Sequence, residues 1–311
     1  MRILASALLL GAFGITPVTA KSFDEIFPDA SYENAGAQAF LKGLDYRQGK
    51  IKLSEARVTL SVPPAYYFLD QVDARKVLVD AWGNPPAAAD GVLGMLFPTK
   101  LTPIDEESWG ATITYAADGY VGDDDAGSLD YHQLLADMKA STAAGNEERT
   151  KAGYESITLV GWASPPYYDR RQHKLHWARE LRFGDAALNT VNYDVRALGR
   201  NGVLEFSFIT DVSRLIAVKA AIPDVLAMAS FDPGSRYEDY DSSIDKVAAY
   251  GIGGLIAGAA VKKLGLLAGI VVAAKKLWFV AAAVLLGALA VVWRRRAGRR
   301  RPAAVIPPAE T

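Results

Sequence analysis

Lys174-Leu-His-Trp-Ala-Arg-Glu-Leu-Arg-Phe183 is the stretch on which the fold turns. Leu175, Trp177, Leu181 and Phe183 alternate with Lys174, His176, Glu180 and Arg182, the period of two expected of a half-buried strand. Two similar runs follow at 189–195 and 203–209, and Gly199-Arg200-Asn201-Gly202 before the second of them carries the turn chemistry of a hairpin. Residues 57–62, 111–115 and 157–162 alternate in the same way. Three runs read as helices instead: 70–82, 128–139 with Ser128 as N-cap, and 213–231, where Pro223 is placed to kink or split the helix. Strand pairs followed by helices predict an α+β domain, an antiparallel sheet covered by helices.

Charge divides the 311 residues into compartments. Residues 21–245 hold 22 basic and 34 acidic side chains, whereas residues 246–311 hold 11 basic and one acidic. The acidic part argues against nucleic-acid binding, and the basic part is of the kind that meets a membrane. With no Cys in the chain, disulfides, thiolate zinc sites, cysteine nucleophiles and a lipid-modified N-terminal Cys are all excluded.

Met1-Arg2, an apolar run to Ile15 and the small residues at Val18 and Ala20 form a secretory signal layout, with cleavage expected after Ala20. Residues 21–231 are the expected exported domain. Residues 232–246 read as a polar, turn-rich linker, and residues 247–274 as a Gly/Ala-rich, membrane-proximal helical segment whose Lys262 and Lys263 face lipid phosphates. Residues 277–293 are the expected transmembrane helix, with Lys275 and Lys276 on one side and Trp278 and Trp293 at its interfaces. Six arginines within 294–311 place that tail in the cytoplasm by the positive-inside rule, which makes this a single-pass protein of the cytoplasmic (inner) membrane. Gly254, Gly258, Gly265 and Gly269, spaced by four in two pairs, permit close helix approach and self-association.

Candidate binding residues fall in two clusters. Asp123, Asp124 and Asp125 offer carboxylates to a hard cation, but the spacing fails the EF-hand template, and an acidic turn before a helix accounts for them without metal. Tyr167, Tyr168 and Arg170 follow Pro165-Pro166 and suit glycan or peptide contact, or else a rigid turn whose tyrosines cover the sheet edge. On a strand, His173 and His176 point to opposite sides and cannot chelate, so neither a metal nor a cofactor is expected. Nucleophile elbows, HExxH and phosphate-binding glycine loops are missing from the sequence. Binding or scaffolding of an envelope protein or glycan is therefore the first functional expectation. A membrane-tethered hydrolase using His132, His173 or His176 as base is the alternative.

Gly119-Tyr-Val-Gly-Asp-Asp-Asp-Ala, Gly161-Trp-Ala-Ser-Pro-Pro-Tyr-Tyr-Asp, Leu175-His-Trp-Ala, Asn192-Tyr-Asp-Val-Arg-Ala-Leu-Gly-Arg and Asp245-Lys-Val-Ala-Ala-Tyr-Gly-Ile resemble the signature segments of a bacterial family of uncharacterised membrane-anchored proteins, a domain of unknown function. The resemblance runs from about residue 56 to 274. It implies an exported domain ahead of a C-terminal membrane segment and carries no activity. More loosely, the strand-rich order ending in a helix is similar to PsbP-like domains, a likeness of shape that implies no photosynthetic role.

The topology has a direct check. A reporter fused after Thr311 is expected to be active only in the cytoplasm; activity on the exported side would overturn the single-span reading.

Overall fold

The computed structural model describes residues 19–257. Of the expected signal segment, residues 1–20, all but Thr19 and Ala20 lie outside the described residues, as does everything from Gly258 onward, including Gly265, Gly269, the span at 277–293 and the basic tail. Among the described residues no helix is long and apolar enough to cross a membrane.

The chain opens with β1 (Thr19–Lys21), α1 (Phe23–Ile26) and α2 (Ala35–Lys42), then β2 (Tyr46–Leu53), β3 (Val58–Val62) and β4 (Tyr66–Asp70). Helix α3 (Gln71–Arg75) continues as π-helical turns over Lys76–Ala81. Strands β5 (Val92–Pro98) and β6 (Gly110–Ala116) precede the long α4 (Tyr131–Lys151). Four strands follow: β7 (Ile157–Asp169), β8 (Lys174–Phe183), β9 (Thr190–Leu198) and β10 (Val203–Asp211). The chain then forms α5 (Leu215–Met228), β11 (Ala229–Phe231) and α6 (Ile252–Ala257). All pairings between these strands are antiparallel, in the order β11-β3-β2-β4-β5-β6-β10-β9-β8-β7, with β1 alongside β2.

The sheet is covered on both faces. On one, Val218, Ile222 and Val225 of α5 pack on Leu60, Phe206, Phe208, Val191 and Val195. Burying a side chain such as Phe208 contributes about 1.5–3 kcal/mol. Pro223 stays inside α5, which runs unbroken over 14 residues. On the other face, Phe23, Phe27, Val77, Leu78 and Trp82 cover Tyr67, Leu69, Met95 and Phe97. Farther along that face, Leu135 and Met138 of α4 rest on Ile157, Leu159, Leu181 and Phe183. The hairpin between β9 and β10 is tight enough that a Cβ on Gly202 would lie 2.1 Å from the Ala116 carbonyl oxygen, so only glycine fits there.

Three expectations need correction. The helix expected at 128–139 starts later and runs to Lys151, because Asp130 rather than Ser128 caps it, accepting from the backbone N–H groups of His132 and Gln133. Pro165 and Pro166 lie inside the irregular edge strand β7, not in a turn; the register shifts repeatedly between Leu159 and Tyr167, and the turn proper is at 170–173. Pro is tolerated there because β7 is an edge strand, with a free side that needs no ladder hydrogen bond.

Residues 232–246 are no detached linker. Ser235 and Tyr237 are buried, Arg200 bonds Asp245 at 2.8 Å, and Tyr120 exchanges backbone hydrogen bonds with Lys246 and Ala248. The domain therefore continues through α6, whose Ile252, Leu255 and Ile256 are buried. Within α6, Gly254 lies beside the Tyr250 side chain of its own chain.

Candidate functional site

The aspartate cluster and the tyrosine strand meet in a clasp that closes one end of the sheet. The Asp123 carboxylate lies 4.0 Å from His173 Nδ1, the Tyr168 hydroxyl lies 3.3 Å from the same nitrogen, and Arg170 donates to the Asp123 carbonyl at 3.4 Å. His173 sits at φ +51, in the left-handed region uncommon for side chains of its size. That turn brings its ring onto Tyr237, 4.1 Å away, and the stack continues through Tyr120 to Tyr240. Burial, then hydrogen bonding to Asp123, holds the Tyr168 phenol well above its ordinary pKa.

Asp125 has a different task. Its carboxylate accepts from the backbone N–H groups of Ile252 at 2.8 Å and Gly253 at 3.0 Å, and so caps α6 from far away in sequence, a contact worth about 1 kcal/mol. A Cβ on Gly251 would meet this carboxylate at 2.5 Å, which is why the approach is made over glycine. Asp124 is exposed. Tyr167 is separated from the clasp and stacks on His176 across the strands, 4.6 Å and nearly parallel. Of the six expected binding residues, Asp123, Tyr168 and Arg170 are brought together, and they tie chain segments to one another. Among the described residues no group of three or more acidic or imidazole side chains is placed to hold a metal ion.

The three histidines are likewise separated. His132 is exposed at the start of α4, and His176 is buried with no partner for Nδ1. A cavity of about 350 Å³ is lined by His173, Ser230 and Glu238, but no hydrogen bond joins any two of these three. The polar partners of the His173 ring are Tyr168 and Asp123.

A larger cavity, about 540 Å³, lies between α4 and the sheet. Its origin is legible in α4: Ser141, Thr142, Gly145 and Asn146 face it at helical spacing, and such small side chains leave the gap unfilled. Asn146 holds the helix in place by donating to the Ile157 carbonyl at 2.8 Å and accepting from the Ile157 N–H at 2.7 Å.

Below the cavity, the register aligns two cross-strand rows on one face: Leu175, Arg196, Glu205 and Thr114 in one, and Trp177, Asp194, Ser207 and Thr112 in the other. Arg179 Nη2 donates to Asp194 Oδ2 at 2.8 Å, and the Ser207 hydroxyl donates to Asp194 Oδ1 at 2.5 Å. Arg196 Nε lies 3.4 Å from Glu205, its Nη1 3.7 Å from Asp194, and its guanidinium 5.0 Å from the centre of the Trp177 ring. Trp177 Nε1, Arg179 Nε, Asn192 Oδ1 and Arg196 Nη1 are buried without a hydrogen-bond partner. Buried polar groups are nearly always satisfied, so four orphans within one patch of a sheet single it out. Arg179, next to Glu180 in sequence, turns to the buried Asp194, and Glu180 accepts from Asn189.

This floor was missed in the sequence, although Asn192, Asp194 and Arg196 occupy alternate positions and so share a face. The alternation was visible; that helices would cover it was not.

A family described as "Protein of unknown function (DUF2167)" matches residues 45–286. The chain belongs to this family. No curated protein matches the DUF2167 chain. Among solved structures it is similar to cyanobacterial PsbP (CyanoP) from Synechocystis sp. PCC 6803, at 12% identity over 66% of this chain and 99% of that one, with a TM-score of 0.33. It is also similar to the Ran-binding protein Mog1p of Saccharomyces cerevisiae, at 11% identity over 61% and 96%, with a TM-score of 0.30. Likeness at this level carries no argument about what the DUF2167 domain does.

The buried His176 makes stability depend on pH. Burial, aided by Lys174 and opposed by Asp169, lowers its pKa from 6.5 to about 4. The unfolded chain therefore binds the proton first. Stability is full above about pH 6.5 and falls as pH drops toward 4, by up to roughly 3 kcal/mol. Urea unfolding across this range should show the loss, and His176→Phe, which keeps an aromatic ring against Tyr167, should flatten it. An unchanged slope in the variant would assign the loss to other groups.

Proposed function

We propose that this chain is an envelope protein held in the cytoplasmic membrane by residues 277–293, and that its exported domain is a binding module that takes a small ligand into the cavity beneath α4. The observation that carries the reading is the set of three unpartnered donors, Trp177 Nε1, Arg179 Nε and Arg196 Nη1, on residues that line the cavity floor. A buried donor or acceptor left unmade costs about 1–3 kcal/mol, a cost that a ligand's polar group would relieve. The cavity volume falls within the usual range for small-molecule sites. Anchoring rests on the charge division, the signal layout and the apolar run at 277–293.

The hydrolase alternative draws less support. It needs a base within hydrogen-bond reach of a nucleophile, and none of the three histidines meets that condition with a serine or threonine.

Full-length protein extracted from membranes and examined by native mass spectrometry should carry a non-protein species at one per chain. Met138→Trp, which fills the cavity from the α4 side, should remove it. Wild-type protein without such a species, or a variant that retains it, would overturn the proposal.

A further inference from the structure

Donors outnumber acceptors on the cavity floor. Trp177 Nε1, Arg179 Nε and Arg196 Nη1 all lack an acceptor, whereas the one unpaired acceptor on the same sheet face, Asn192 Oδ1, lies outside the lining. The acids beneath are already engaged: both Asp194 oxygens accept hydrogen bonds, and Glu205 Oε2 accepts from Thr114 at 3.0 Å. Arg196 is only 4% exposed, yet its contacts with both acids are at ion-pair distance and its guanidinium makes no hydrogen bond to a described residue. An arginine carries five donors in a planar fork that matches a carboxylate or phosphate, and charge-assisted bonds of that kind are about twice as strong as neutral ones. Arg149 adds a third cation to the lining. The one acid there, Glu148, is exposed on α4. Above the floor, Met138, Ile157, Leu159, Leu181, Leu255 and Ile256 form an apolar wall, beside the Ser141, Thr142 and Asn146 side chains of α4.

We infer that the ligand is an acidic amphiphile, with a carboxylate or phosphate head on Arg196 and Trp177 and an apolar body between α4 and α6. This inference rests on the binding reading above and adds the chemistry of the occupant. A neutral polar head is a poorer fit, since it would bring donors to a floor that already has an excess of them. A free inorganic anion would leave the apolar walls without a partner.

The test uses full-length protein in lipid nanodiscs and three photoactivatable probes with the same diazirine-bearing twelve-carbon chain: a carboxylate, a phosphate monoester and an alcohol. At least one acidic probe should label peptides of α4, β7 or α6 about tenfold more than the alcohol does; the stronger acid identifies the natural head group. Arg196→Gln should reduce that labelling about tenfold, and Arg196→Lys, which keeps the charge without the fork, should restore part of it. If Arg196→Gln loses cooperative unfolding, the comparison of acid with alcohol on the wild type decides. Labelling by the alcohol equal to that by both acids would overturn the acidic assignment and leave cavity binding intact. No cavity labelling by any probe would overturn both.

Discussion

Asp194 has no exposed surface, and it carries its charge in the middle of a sheet face that helices cover. Taking a carboxylate out of water costs several kcal/mol, so its surroundings must supply hydrogen bonds and opposite charge. Arg179 from β8 and Ser207 from β10 do so, one from each neighbouring strand, which ties the register of β8, β9 and β10 to a single side chain. A slip of one residue would send Asp194 to the α5 face among Val191, Val195 and Phe208, where no partner waits. Arg196 and Glu205 extend the same logic to the next row, but less completely. That incompleteness separates this patch from an ordinary buried ion pair.

The rest of the domain is arranged around covering this face without filling it. Helix α4 is held at the sheet edge by Asn146 and presents small side chains inward. Helix α6 closes another side with Leu255 and Ile256 and is capped by Asp125, so the aspartate motif shapes the cavity from outside it. The aromatic stack from His173 to Tyr240 fixes the chain that leads into α6. Because α6 is the last described element before residues 277–293, cavity and proposed anchor are neighbours along the chain.

Much of the sheet could be read from local pattern. The β8 stretch was expected with the observed bounds, and β3, β6, β9 and β10 were found to within a few residues, because each alternates cleanly. Strand β5 was missed because Gly94 sits where its register shifts and Pro98 ends it. Strand β2 was missed because Lys50 and Lys52 make its run look solvated, although Ile51 and Leu53 are buried. Residues 232–246 looked like a linker because polar, turn-forming residues dominate them; Tyr237 and Tyr240 find their partner in Tyr120, more than a hundred positions earlier. The site was hidden for the same reason. Asn192-x-Asp194-x-Arg196 reads as the wet side of a strand until it is known that α4 and α6 lie over it.

The central claim is that Arg196 is kept for a ligand and not for the stability of the fold. Replacing a buried ion pair by apolar side chains of similar volume is often neutral or stabilising, whereas removing a ligand's partner abolishes binding. The direct measurement is the thermal midpoint of the double variant Arg196→Met with Glu205→Leu, together with retention of the bound species. The account predicts a midpoint equal to or above that of the wild type and no bound species. A midpoint many degrees lower, or a bound species retained at wild-type occupancy, would contradict it.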